Sequence, residues 1–283
     1  MPEGPELKHS RDLLRNCLLG KKIIDMWPTE LGRYKSKPPE GLQQIKDLNS
    51  SLTIDSIDVK GKFMWWTLKS TTKTWFLWCT YGMSGQWTPI HDKHIAFIVQ
   101  YNSSGQKLTR DWETMYFVDP RHFGTIKFVD DVAIHKKKLN SLGPDVLSNP
   151  PMTLELFAER LLGKPNRIIS EALMDQSCVS GVGNYMRAEA LWLAKVNPWS
   201  KVVDLTSEKL LALYESVHSV ASNSYESGGA TIHTYKGVEG EQGTYSSRFV
   251  VYGRTIDADG NPVLREEGPG GRTIHWSPLR QTQ

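Results

Sequence analysis

Long apolar runs are absent from this 283-residue chain, so no membrane partner is expected. Cysteine is scarce: Cys17, Cys79 and Cys178 are far apart and odd in number, and none follows Cys178. That argues against a disulfide framework and a cysteine-based zinc site, and suits a soluble protein of a reducing compartment, nucleus or cytoplasm. A strong excess of one charge is also missing, with Lys+Arg 34 against Asp+Glu 31 and a formal net charge of +3. Nucleic acid is thereby permitted but not indicated, and a DNA partner would require the positive charge to gather on one face. Residues 1–16 are polar and charged, so no secretory signal is expected there. There is no internal repeat and no low-complexity tail.

What is present is enough for real cores: 39% hydrophobic and 10% aromatic residues, in a length that accommodates two domains. Leu7, Leu13, Leu14, Cys17 and Leu18 give residues 3–18 one apolar helical face, with Gly20 as a stop. Short runs rich in β-branched and aromatic residues follow at 23–27, 52–59, 63–68, 75–79, 95–101, 115–118 and 125–129. Such runs, divided by turn signals such as Asn102-Ser103-Ser104-Gly105, predict an antiparallel sandwich or barrel. After about residue 130 the spacing turns helical, over 153–163, 167–177, 185–195 and 207–224. Two strand-like runs, Arg248–Thr255 and Arg272–Ser277, read as a closing hairpin. The basic run His135-Lys136-Lys137-Lys138 reads as a solvated helix end.

Chemistry concentrates at the N-terminus. Pro2 favours removal of Met1, which would leave a secondary amine. An α-amine titrates near ~8, so a sizeable fraction is neutral and nucleophilic at pH 7. Attack on an aldehyde carbon then gives an iminium, already cationic and able to act as an electron sink. Glu3 and Glu6 place carboxylates beside that amine, although proline and acids also simply suit a first helical turn. Ser180-Gly181-Val182-Gly183-Asn184 precedes a good helix; its glycines let a phosphate approach backbone amides, and Asn184 can donate to it. Preceded by another helical segment, this reads as a helix–turns–helix that grips one DNA backbone. Lys62 follows Gly61 before an apolar strand, as a phosphate ligand or a solvated edge. Met83, between glycines, is an apolar wedge on a loop, and Arg121 and Phe123 offer a donor and an aromatic on a second. His91 and His94 lack a third ligand, so no metal is expected.

Taken in order, Pro2-Glu3-Gly4-Pro5-Glu6, Gly61-Lys62, Gly82-Met83-Ser84-Gly85, Asp119-Pro120-Arg121-His122-Phe123-Gly124, Gly181-Val182-Gly183-Asn184, Val251-Tyr252-Gly253-Arg254 and Gly270-Gly271-Arg272-Thr273 resemble the formamidopyrimidine-DNA glycosylase / endonuclease VIII family over essentially the whole chain. The resemblance implies an α+β fold. An N-terminal helix and antiparallel β-sandwich domain (1–130) would precede a helix-two-turns-helix domain (131–245) and a β-hairpin finger (246–283). Most of the family carry a four-cysteine zinc finger. Here Asp257-Ala258-Asp259-Gly260 and Ser277-Pro278-Leu279-Arg280 stand at those positions, which resembles the zincless-finger endonuclease VIII-like branch. Val251, Ile274 and Trp276 would then help to hold the hairpin.

The implied activity is that of a bifunctional DNA glycosylase/AP lyase in base excision repair, without cofactor or metal. Damaged DNA, duplex or single-stranded, would be the partner of a monomer. Pro2 would be the nucleophile, Glu3 and Glu6 the proton-handling acids and Lys62 an electrostatic aid. Lys62, Asn184 and Arg272 would pin the DNA backbone, and Met83, Arg121 and Phe123 would fill the gap left by the flipped base. The lesion loop would be Tyr235–Tyr245, and the substrates oxidised pyrimidines, hydantoins and formamidopyrimidines. A non-catalytic DNA-binding module with a blocked terminus, or a metal-dependent nuclease, are the competing readings.

Overall fold

The computed structural model describes residues 2–46, 52–102, 112–230, 238 and 243–282. The chain divides into two compact units: Met1–Pro2, Glu6–Leu139 and Thr231–Gly243 in the first; Glu3–Pro5, Asn140–Ala230 and Thr244–Gln283 in the second.

The first unit is a sandwich of two four-stranded antiparallel sheets. One has the order β1-β6-β7-β5, formed by Ile23–Pro28, Ile95–Asn102, Trp112–Val118 and Gln86–Thr88. The other has the order β2-β3-β4-β8, formed by Thr53–Lys60, Phe63–Lys69, Thr74–Thr80 and Thr125–Val129. Their facing side chains interdigitate, with Trp66 against Trp87 (ring centroids 4.7 Å) and Phe97 against Phe128 (6.0 Å). Helix α1 (Gly4–Leu18) sends Leu7, Leu14 and Leu18 into this core. Ser10 on α1 also hydrogen-bonds the buried hydroxyl of Tyr81 at 2.6 Å. A short helix α2 (Leu42–Lys46) buries Leu42 and Ile45 in the same core.

Helix α3 (Val132–Asn140) lies on the outer face of the second sheet. The basic run expected there to be solvated is so only in part. Lys136 and Lys137 are exposed, but His135 is buried, stacked on Phe76 at 3.8 Å and accepting a hydrogen bond at Nδ1 from the Trp78 indole at 2.9 Å. Burial lowers the pKa of His135, and Nδ1 can accept only when it carries no proton.

In the second unit α4 (Leu154–Leu162) starts at the Thr153 cap and α7 (Ser207–Glu226) at the Thr206 cap. The helix expected over 167–177 shrinks to α5, Ile169–Ala172. Asp175 explains the break. Its carboxylate accepts from the Ser177 amide (2.8 Å) and from Lys164 and Arg167, so the backbone turns away from the helix. Helix α6 (Asn184–Leu193) follows.

The closing hairpin pairs β9 (Leu264–Gly268) with β10 (Arg272–Trp276). The first strand is therefore not the expected Arg248–Thr255. In that segment the amides of Val250, Val251 and Tyr252 donate to the buried Glu189 carboxylate on α6, at 2.8, 3.0 and 2.8 Å, and no ladder competes for them.

Candidate active site

Glu3 has a built seat. Its carboxylate accepts from the backbone amides of Tyr185 (3.0 Å) and Met186 (3.3 Å), in the first turn of α6, and its side chain is 2% exposed. The N-terminus of a helix has unpaired N–H groups and a partial positive charge, so a carboxylate is stabilised there. Two glycines make the approach possible. A Cβ at Gly183 would overlap the Glu3 carboxyl group, and one at Gly4 would press on Gly181, whose carbonyl accepts the Gly4 amide at 2.9 Å. The sequence pointed to an anion at this helix start and assigned it to a phosphate. The structure puts the Glu3 carboxylate on the amides of Tyr185 and Met186.

Asn184 opens α6, and its carboxamide oxygen is held from within the same helix. Arg187 Nη2 donates to Asn184 Oδ1. The same Nη2 donates to the Thr273 carbonyl at 2.9 Å. Thr273 neighbours Arg272, which is exposed at the start of β10 just after Gly270 and Gly271, both at positive φ (74° and 68°). Tyr252 packs on His275 at 4.8 Å, and burial with nearby Arg265 and Arg187 pushes the His275 ring down to about 4, leaving it neutral at pH 7. Asn184 and Arg272 are thus joined through Arg187, a residue the sequence reading passed over. Its helix carries a second charge, Glu189, two residues on, so charge within the segment did not single Arg187 out.

In the first unit Pro2 is buried, and Glu6, also buried, lies in the first turn of α1. Lys62 occupies the two-residue turn between β2 and β3, where Gly61 at φ 58° satisfies the left-handed geometry and Lys60 pairs with Phe63. The turn is braced from α3: Lys60 Nζ donates to the Leu139 carbonyl at 2.9 Å, and the Lys138 ammonium sits 5.2 Å from the Phe63 ring centroid.

Met83, Arg121 and Phe123 come together on two interlocked loops. Met83 is 37% and Phe123 55% exposed, and the exposed Arg121 reaches the Met83 sulfur at 3.6 Å. The buried Asp119 ties the loops, accepting from the Gly124 amide at 2.6 Å and from Ser84 Oγ at 3.2 Å, while Ser84 Oγ accepts the Arg121 amide. Gly82, at φ 59°, has no space for a Cβ beside the Phe123 backbone. Two exposed apolar side chains and a cation on hydrogen-bonded loops suit insertion into a base stack.

Carboxylates organise the end of the chain. Asp257 accepts from the Trp192 indole (2.9 Å) and from the amides of Asp259 (3.0 Å) and Asn261 (2.8 Å). Arg280 stacks on Trp192 at 3.6 Å, and Gln281 holds the Ser277 amide at 2.8 Å. Val251 and Ile274 are buried, while Trp276, half-buried, shares Glu266 with Trp199 through indole hydrogen bonds of 2.5 and 3.1 Å. No cluster of three or more metal-ligating side chains occurs among the described residues, His91 and His94 included. Most of the expected lesion loop, Tyr235–Tyr245, lies outside the described residues.

Comparison with known proteins agrees over both units. The formamidopyrimidine-DNA glycosylase N-terminal domain matches residues 1–126, and that family's H2TH domain matches residues 142–236. The formamidopyrimidine-DNA glycosylase of Bacillus licheniformis is 30% identical over 284 residues, spanning 98% of each chain. That of Listeria innocua is 28% identical over 287 residues, again 98% of each. Among solved structures, the MutM (Fpg) protein of Thermus thermophilus superposes with a TM-score of 0.81 at 28% identity, over 99% of this chain and 98% of that one. A Lactococcus lactis Fpg mutant crystallised with Fapy-dG-containing DNA has the same fold, with a TM-score of 0.83 at 24% identity over the full length of both. The chain belongs to the formamidopyrimidine-DNA glycosylase family.

Proposed function

We propose that this DNA glycosylase excises oxidised bases, mainly pyrimidines, hydantoins and formamidopyrimidines, and then cuts the strand as an AP lyase through a covalent intermediate on Pro2. With Met1 removed, the Pro2 nitrogen attacks C1′ of the damaged nucleoside and the base departs with a proton. Opening of the sugar at O4′ leaves an iminium. Its positive charge acidifies C2′; loss of that proton expels the 3′ phosphate, and loss of the C4′ proton then expels the 5′ phosphate. Glu3 handles the proton of the departing base or ring oxygen, Glu6 orients or relays, and Lys62 offsets developing negative charge. Lys62, Asn184 and Arg272 hold the kinked backbone, and Met83, Arg121 and Phe123 replace the flipped base.

The observation that carries this reading is the seat of Glu3. The residue after the proposed nucleophile is buried and fixed by two helix-terminal amides, with a glycine at 183 where a methyl would evict it. A buried carboxylate fixed next in sequence to the proposed nucleophile supports a role in proton transfer. Residues 1–130 would supply the chemistry, 131–245 the backbone grip and 246–283 a finger that works without zinc. The Asp257, Trp192 and Arg280 contacts support the last assignment.

Borohydride reduction during incubation with abasic-site DNA tests the proposal. Protein whose mass shows it begins at Pro2 should form a stable adduct. Pro2→Gly should bind DNA equally well yet trap far less. An untrapped protein with a free Pro2 refutes the lyase, and undiminished trapping by Pro2→Gly moves the nucleophile elsewhere. Cleavage should persist in excess EDTA; its loss would point to a metal-dependent nuclease.

A further inference from the structure

Arg187 is 2% exposed, with its Nε buried and unpartnered among the described residues. Burial pushes the guanidinium down to about 10, which leaves it charged at neutral pH. Burying a cation is costly; the nearby Glu3 carboxylate offsets part of that cost, and a further gain is required. That gain lies in what Nη2 touches: Asn184 Oδ1 on α6 and the Thr273 carbonyl on β10, next to Arg272. A carboxamide has an oxygen end and an N–H₂ end of nearly equal shape, and only its partners decide which way it points. A guanidinium donates and never accepts. With Arg187 behind it, Asn184 must turn its oxygen inward and present its N–H₂ on the far side. Were the amide reversed, its oxygen would meet an incoming phosphate and repel it.

We propose that Arg187 is a positioning residue that locks the Asn184 carboxamide donor-outward and ties it to the strand carrying Arg272, so that the two phosphate ligands form one preset grip. The inference rests on the assignment of Asn184 and Arg272 as phosphate ligands. It predicts that Arg187 acts on DNA through Asn184.

A double-mutant cycle tests this, using the dissociation constant for a duplex with a tetrahydrofuran abasic analogue at fixed salt. Asn184→Ala and Arg187→Gln should each weaken binding about tenfold, and the double variant little more than either. Arg187→Lys, still donor-only, should stay within a few-fold of the unaltered protein. Glutamine can present either end of its own amide to Asn184, so it should not rescue. A merely structural role would favour the neutral glutamine over the buried ammonium, and that order overturns the proposal. So does an Asn184→Ala effect of equal factor in both backgrounds, which leaves the phosphate assignment standing. If Asn184→Ala does not weaken binding at all, the phosphate assignment itself is wrong and the proposal falls with it. Thermal melting of each variant confirms that folded proteins are compared.

Discussion

At Gly183 a single methyl group decides whether Glu3 can sit on α6. The sequence marked this glycine as a place of close approach, and that much was legible. The identity of the approaching group was not, because Glu3 is far from Gly183 along the chain and only folding brings them together. Gly183→Ala should push the carboxylate off the Tyr185 and Met186 amides and destabilise the protein by about 1–3 kcal/mol, as overpacking does. Urea unfolding measures the first effect, and covalent trapping on abasic DNA should fall with it. A Gly183→Ala protein that traps at the normal rate would show that the seat of Glu3 is not needed for the chemistry. Arg187 and Asp257 were not legible in the same way: charged residues in sequence look solvated until a fold encloses them.

Two elements depend on carboxylates that secondary-structure patterning could not reveal. Asp175 shapes the turn before α6. Burial by itself would raise its pKa, but hydrogen bonds from Lys164, Ser177 and Arg167 outweigh that and hold it well below the usual carboxylate range. The sign follows. A depressed folded-state pKa contributes stability that is present above about pH 4 and is lost as pH falls through the lower folded value. The stability gap between the unaltered protein and Asp175→Asn should therefore narrow on acidification from neutral pH toward pH ~2. Urea midpoints across that range check it, and a constant gap would mean the carboxylate charge is not what matters. The finger is the second case. The run Arg248–Thr255 resembled a strand, whereas the true partner of β10 is the charged Leu264–Gly268, since Glu189 engages the amides of Val250, Val251 and Tyr252. Asp257→Asn should cost about 1–3 kcal/mol, by turning a donor toward other donors. Chelators should leave the melting temperature unchanged; a chelator-induced drop would reveal a metal in the finger.

For the molecule as a whole, a net charge of +3 cannot by itself draw DNA, so affinity must come from a few placed cations. Arg272→Ala should weaken binding to damaged and undamaged duplex alike and lower the slope of log K against log salt by about 1. A loss confined to one lesion would make Arg272 a base reader instead. The sequence by itself determined the α+β order of elements and the sheet-forming segments, through side-chain periodicity. It also determined the family, through short motifs whose glycines and prolines restrict the backbone locally. Tertiary structure decided which acid occupies the start of α6, which strand closes the hairpin and which buried arginine orients Asn184. Those outcomes depend on which distant donors and acceptors meet once water is excluded, and that pairing has no period along the chain.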